Sequence, residues 1–283
     1  MALPSSEQTC DKNGGRSRTR QSKRSLKEDR FVKPREIIMA REDGFITLAD
    51  RKLFNVLISI TSRKPESATA DGVYTLCLRD VMEHLPSKSV ERVVSSLTRL
   101  ATVAIMVDYR SESGEMVSVC GHYLSYRLVA KEDGELTFAY DKVIFDLLRS
   151  PEVYGILSLQ TVMHFRSSYA LRLYEILALY VRRRHPVWRV SLTEFRTVMG
   201  LETGHERTDN LISGVINPAV SEIIEVGGRD LKVEFTHRKG KLVGLTFRFG
   251  ARLPAKARQA VVKGVAVREG RTPCLPAQGD VIQ

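Results

Sequence analysis

The sequence predicts an α+β fold: two tandem winged-helix domains between a flexible basic N-terminal arm and a flexible C-terminal tail. Three observations carry this expectation. One order of elements (helix, short helix, helix, hairpin) occurs twice between residues 41 and 250. Both ends of the chain are polar and basic, without a sustained apolar period. The formal charge is +11, from 44 Lys and Arg against 33 Asp and Glu. Such an excess favours a polyanionic partner, nucleic acid or an anionic surface.

The elements are read in chain order. Residues 1–40 include "DKNGGRSRTRQSKRSLKEDR", which holds too few apolar side chains to offset the entropy of ordering, so a flexible arm is expected. The first domain, 41–150, opens at "TLADRKLFNVLISI". Thr47 can cap a helix whose Ala49, Leu53, Val56, Leu57 and Ile60 share one face. "GVYTL" reads as a strand and "CLRDVMEHLP" as a short helix stopped by Pro86. In "SKSVERVVSSLTRLA", Val90, Val93, Val94, Leu97 and Leu100 or Ala101 form the apolar stripe of a third helix, leaving Lys88, Ser89, Arg92, Ser95, Ser96 and Arg99 outward. "VAIMVDY", "MVSVCGHYLSYRLVA" and "ELTFAY" then read as strands separated by the turn signals "RSESGE" and "KEDGE".

"DKVIFDLLRS" and "LSLQTVMHF" are expected to be connecting helices, the second packing between two halves. The second domain, 151–250, has its core helix in "SSYALRLYEILALYVRRRHPVW". The spacing predicts a helix over 168–184, ending in Arg182, Arg183 and Arg184, which also suit the negative end of its dipole. In "VSLTEFRTVMG", Ser191 and Glu194 have capping-box spacing and Gly200 is placed to end the helix. In "ERTDNLISGVINPAVSEII", Leu211, Val215, Ala219 and Ile223 face inward, and Arg207, Thr208, Asn210, Ser213 and Asn217 outward. Pro218 there implies a kink, or a restart capped by Asn217. "LKVEFTHRKGKLVGLTFRF" alternates around a basic tip, His237, Arg238, Lys239 and Lys241, as a second wing should. Residues 251–283 are expected to be a tail.

Several classes of function find no support. GxxxxGK[ST] is absent; Gly240 and Lys241 are followed by Leu and belong to the hairpin. No two of the six histidines flank a single residue, and there is no GxSxG, HExxH or clustered acidic pair, so no catalytic residue is assigned. Cys10, Cys77, Cys120 and Cys274 lack CxxC pairing. Cys77 and His84 with Cys120 and His122 fit no standard ligand spacing, so these are read as buried thiols and surface histidines, with no metal or cofactor expected. Even the most apolar run carries Arg172 and Glu175, and no apolar leader follows the N-terminal charges, so the reading is of a soluble, unexported, cytoplasmic protein without membrane association.

DNA is the partner that fits. A helix of a winged-helix domain can read base edges in the major groove while basic helix ends and hairpin tips hold phosphates. Lys88, Ser89, Arg92 and Arg99 in the first domain are assigned to this contact. In the second, the assigned residues are Arg182–Arg184, Arg207, Thr208, Asn210, Ser213, Asn217 and the wing-tip residues 237–239 and 241. Two domains would cover about 20 base pairs. An RNA-binding protein is a weaker reading, because no RNP1-like aromatic run or GxxG loop is present.

"SSYALRLYEIL", "VSLTEFRTVMGL", "INPAVSEI" and "KVEFTHRKGKLVGLTFRF" together resemble the iteron-binding plasmid replication initiators, over about residues 45–250 and most specifically in Tyr169–Glu175 and Val220–Ile223. That resemblance implies two winged helices, the first also dimerising. It implies dimers that repress the initiator's own gene, and monomers that bind origin direct repeats and help open the origin for the host initiator and replicative helicase, in a bacterial cytoplasm beside nucleoid or plasmid. It also implies that Arg172, Tyr174 and Glu175 hold the second domain together. Many relatives carry a basic cluster where this chain has Ile212, Ser213 and Gly214. A transcription regulator of the same fold would lack origin opening, and a plasmid replication assay separates the two.

Overall fold

Apolar strands and helices alternate from Arg30 to Arg252 around one continuous core, shown by a computed structural model that describes residues 29–63, 68–69, 72–111, 113–129, 131, 133–201, 207–254 and 258. The remainder of the expected arm and tail lies outside these residues. One part of the arm does not: Arg30–Pro34 is strand β1 and Arg35–Met39 helix α1, with Phe31, Ile37 and Ile38 buried. Composition averaged over 40 residues hides this short apolar run. β1 pairs antiparallel with β8 (Tyr154–Ser158), a strand missing from the sequence reading, in which Phe31 lies opposite Leu157.

After β2 (Arg41–Asp43) comes α2 (Leu48–Arg63), started by a reciprocal cap. The Thr47 hydroxyl accepts from the Asp50 amide and the Asp50 carboxylate accepts from the Thr47 amide. β3 (Val73–Cys77), α3 (Leu78–Glu83) and α4 (Val90–Thr102) follow, α4 burying Val93, Leu97 and Leu100 as its period predicts. The next strands make two hairpins. β4 (Ala104–Arg110) and β5 (Met116–Gly121) join β2, whereas β6 (Leu124–Leu128) and β7 (Glu135–Tyr140) join β3, in the order β3-β7-β6. The stretch that reads as one strand therefore changes sheet at Gly121–Tyr123. There a Cβ on Gly121 would stand 2.6 Å from the Asp141 carboxylate, and Tyr123 turns into the core. The wing of the first unit is β6–β7, and β4–β5 is an additional hairpin.

Asp141 caps α5 (Lys142–Arg149), and α6 (Leu159–His164) follows β8 directly. The Lys52 ammonium donates to the carbonyls of Met163 and Phe165, tying α2 to the end of α6. α7 (Ser168–Ala178) is buried on nearly every side, Arg172 and Glu175 included. It ends six residues before the expected Arg184, and the chain turns through Leu179–Arg182. The three arginines thus sit on a bend, and the helix-end role assigned to them does not hold.

The second unit comprises α7, β9 (Val187–Ser191), α8 (Leu192–Met199), the helix over 208–227 that the sequence expects to read bases (below, the reading helix) and the hairpin β10 (Arg229–Arg238) with β11 (Lys241–Arg252), in sheet order β10-β11-β9. Ser191 accepts from the Glu194 amide at 3.1 Å and Gly200 closes α8 at φ 66°, both as the spacing requires. The reading helix is continuous: α9 (Thr208–Leu211), one π-type turn (Ile212–Ile216) and α10 (Asn217–Gly227). The restart does not occur, because the backbone stays helical through Pro218. Pro218 has no amide to offer the Gly214 carbonyl, and the Asn217 amide reaches back to the Ile212 carbonyl instead, so the wide turn absorbs the proline. Asn217 is helical and not a cap.

Seven buried or nearly buried polar side chains join the two units. Lys33 donates to Glu175 at 2.9 Å and to Asn55 at 3.1 Å, and Asn55 donates to the other Glu175 oxygen at 2.6 Å. Arg51 and the Tyr123 hydroxyl both donate to Glu42 at 2.5 Å, with Arg172 3.6 Å away. Arg172 also donates to the carbonyls of Ala40 at 2.5 Å and Val198 at 2.9 Å, so it touches the first unit and α8 of the second. Among the described residues no buried side-chain nitrogen or oxygen lacks a partner.

Burial alone would raise the Glu42 carboxyl, but the charges of Arg51 and Arg172 outweigh it and hold the group at about 2, against an ordinary 4.5. A depressed carboxylate contributes stability above its unfolded value that is lost as pH falls through the folded one. The unfolding free energy measured in urea is therefore expected to fall between about pH 5 and pH 2, with about 3 kcal/mol of that loss absent in Glu42→Gln. A second expectation concerns Glu175→Ala, which leaves Lys33 buried without its carboxylate. It should lose roughly 3–5 kcal/mol of stability in the same titration.

Candidate nucleic-acid interface

The second unit brings part of the assigned set together. The first turn of the reading helix and the β10–β11 tip line one groove through Thr208, Asp209, Ile212, His237, Gly240 and Lys241. Thr208 is half-buried; Arg207, Asn210 and Ser213 are exposed beside it, and His237, Arg238, Lys239 and Lys241 are all exposed. Asn217, two turns on, is half-buried and not without a partner, a weaker candidate than an outward reading implies.

The tip is a two-residue turn with Lys239 at φ 50° and Gly240 at φ 75°, so both central residues are left-handed, as a type I′ turn demands. Asn or Gly adopts this shape at least cost, whereas Lys, with its Cβ, carries roughly 1–2 kcal/mol of strain. A strained, exposed cation at a wing tip is the kind of outlier that accompanies a functional contact.

The arginine bend is elsewhere. β9 pairs with β11 so that Val187 faces Arg248 and Ser191 faces Gly244. Arg182–Arg184 enter β9 at the Val187 end, and Lys241 is seven residues along β11 from Arg248, roughly 23 Å at strand rise. Bend and tip are at opposite ends of the sheet. Arg182, Arg183, Arg184 and His185 are exposed, and the Arg183 guanidinium lies 4.4 Å from the centre of the Tyr180 ring, which stacks on Trp188.

Three of the four candidates in the first unit are committed to other contacts. Ser89 caps α4, accepting from the Arg92 amide. The Lys88 ammonium donates to the Met82 carbonyl at the end of α3. Arg99 clamps Asp50 with two hydrogen bonds of 2.7 and 2.9 Å, and the Asp50 side chain is fully buried. Burial would raise that carboxyl, but Arg99 and Ser96 hold it below its ordinary range. Ser96, expected outward, is likewise buried. The helix period shows that Arg99 points away from its own apolar stripe; it cannot show that α2 stands there. Arg92 is exposed with no side-chain partner among the described residues. Of the thiols expected to be buried, Cys120 is exposed on β5 and Cys77 is half-buried. Among the described residues no three His, Cys, Asp or Glu side chains converge on a metal position, and no helix is long and apolar enough to cross a membrane.

Sequence reasoning also missed an exposed tether on the reading helix, where the Arg166 amide donates to Glu222 and its guanidinium to Glu225 at 3.1 Å. The acids of α10 carried the only available signal.

Two winged-helix units on one core define a basic protein of the tandem winged-helix class. Residues 30–178 match the family described as "Initiator Replication protein, WH1", and residues 191–249 match "Initiator Rep protein, WH2"; the chain belongs to this family of replication initiators, whose winged helices bind DNA. No curated protein matches the sequence. A crystal structure of RctB domains 2-3 is similar at 12% identity and TM-score 0.42, covering 78% of this chain and 88% of that one. The WH1 domain of MSBI1.176, a replication protein isolated from a multiple sclerosis patient, is similar at 10% identity and TM-score 0.29, covering 37% of this chain and 81% of that one.

Three substitutions separate strain and structure from DNA contact. Lys239→Gly should raise the unfolding free energy by roughly 1 kcal/mol while weakening DNA binding, read by denaturation and fluorescence anisotropy. Arg99→Ala should lose about 1–3 kcal/mol of stability yet leave the affinity of the folded protein unchanged, whereas Arg92→Ala should do the reverse.

Proposed function

We propose that this initiator reads repeated origin DNA, with the second winged helix, 151–250, as principal reader and the first, 41–150, supplying both DNA contact and self-association. The observation that carries the reading is the shared groove between the first turn of the reading helix and the basic wing tip. A helix seated in a major groove leaves its wing over the adjacent backbone, so Arg207, Thr208, Asn210 and Ser213 contact bases while the wing cations hold phosphates. Arg182–Arg184, at the far end of the sheet, hold a separate stretch of backbone.

Self-association has a surface in the first unit. β5 is an edge strand, and Met106 and Met116, 38% and 65% exposed, lie on this hairpin. An unpaired edge carrying exposed apolar side chains is a template for pairing with a second copy. On this reading dimers repress the initiator's own gene, and monomers bind the repeats, open the origin and recruit the host initiator and helicase, by binding and without catalysis.

Selection of bound duplexes from a random pool tests the reading. The wild type should enrich one motif, which recurs as direct repeats in its origin. Asn210→Ala should relax preference at one or two positions. Arg238→Ala with Lys241→Ala should weaken binding to every sequence and lower the slope of log affinity against log salt by about one for each phosphate that is no longer neutralised. Binding without any enriched motif contradicts the proposal.

A further inference from the structure

The helix from Thr208 to Gly227 contains no Lys or Arg, but it carries three acids, Asp209, Glu222 and Glu225. Glu222 and Glu225 are engaged by Arg166. Asp209 is exposed on the wall of the groove opposite His237 and Lys241, and its carboxylate has no hydrogen bond or ion pair among the described residues. A free carboxylate facing a phosphate polyanion weakens binding to all DNA unless it gains a donor there.

The neighbouring chemistry sharpens the point. The Ser213 hydroxyl donates to the Asp209 carbonyl at 2.7 Å, so its proton is committed and it offers the groove lone pairs only. Asp209 and Ser213 together form an acceptor surface, while guanine shows the major groove only the acceptors N7 and O6 and is read by Arg or Lys, which this helix lacks beyond Arg207 at its cap. The complementary donors are the exocyclic amines of cytosine and adenine. On adenine the amine is flanked by the N7 acceptor, which repels a carboxylate; on cytosine its groove-side neighbour is a C–H.

We propose that Asp209 is a specificity-determining residue that accepts a hydrogen bond from the exocyclic amine of a cytosine in the major groove, and rejects bases presenting an acceptor at that position. This rests on the reading helix being a base reader. Thymine, which replaces the amine with a carbonyl, is the most strongly rejected.

The test compares wild type, Asp209→Ala and Asp209→Asn by random-pool selection, followed by affinities for single-base variants of the wild-type site. Circular dichroism and thermal unfolding establish that each variant is folded. At one position, cytosine to thymine should cost the wild type about tenfold or more. The same change should be nearly neutral for both variants, and Asp209→Ala should hold bulk DNA more tightly. A stabilising acid in a first helical turn would shift melting and leave base preference alone, so an unchanged base-by-base profile in both variants overturns the proposal. Loss of preference at an adenine position overturns cytosine as the source of the amine. If the wild type enriches no motif, the base-reader reading fails, and this inference fails with it.

Discussion

Arg172 is the side chain on which the arrangement depends. From α7 it donates to the Ala40 carbonyl in the first unit and to the Val198 carbonyl at the end of α8 in the second, with Glu42 beside it. One turn further, Glu175 receives Lys33 from β1 and Asn55 from α2. Charges this deeply buried are strongly unfavourable unless every donor and acceptor is met, and here they are. A network of this kind tolerates little sliding between elements, because a shift of an ångström or two leaves a buried charge unpaired. α7 therefore acts as a shared spine and not only as the first helix of the second unit.

The spine determines what remains available outside. With α7 buried on nearly every side, the second unit presents its reading helix, its wing and the arginine bend. The positive charge is divided between the tip and the bend, at opposite ends of one sheet, and the reading helix between them has none. On the proposed reading, affinity and base discrimination fall to different elements: phosphates to the wing and bend, bases to Arg207 and a helix of small polar and acidic side chains. Lys239, in a backbone conformation that suits glycine, is where stability yields to charge.

Much of this was legible in the sequence, and the failures share a cause. Local rules worked where the physics is local: the Ser191 cap, the Gly200 stop, the apolar stripe of α4 and the alternation of the wing strands. They failed where a partner comes from far along the chain. Arg99 and Ser96 read as outward because Asp50, 49 residues away from Arg99, is invisible to a helix period. Strand β1 hid in a basic arm because its partner β8 lies more than a hundred residues on. Pro218 implied a break because a π-type turn leaves no distinct periodic mark. For the interface, the sequence indicated the tip and the first turn of the reading helix, but not that the arginine bend stands apart from both.

The most direct test of the account is a hydroxyl-radical footprint of one protomer on its selected duplex. Two units fixed to one spine should protect two patches on one face of the DNA, in constant phase and about one helical turn apart. A single protected patch, or two whose spacing varies from site to site, would contradict a rigid two-unit reader.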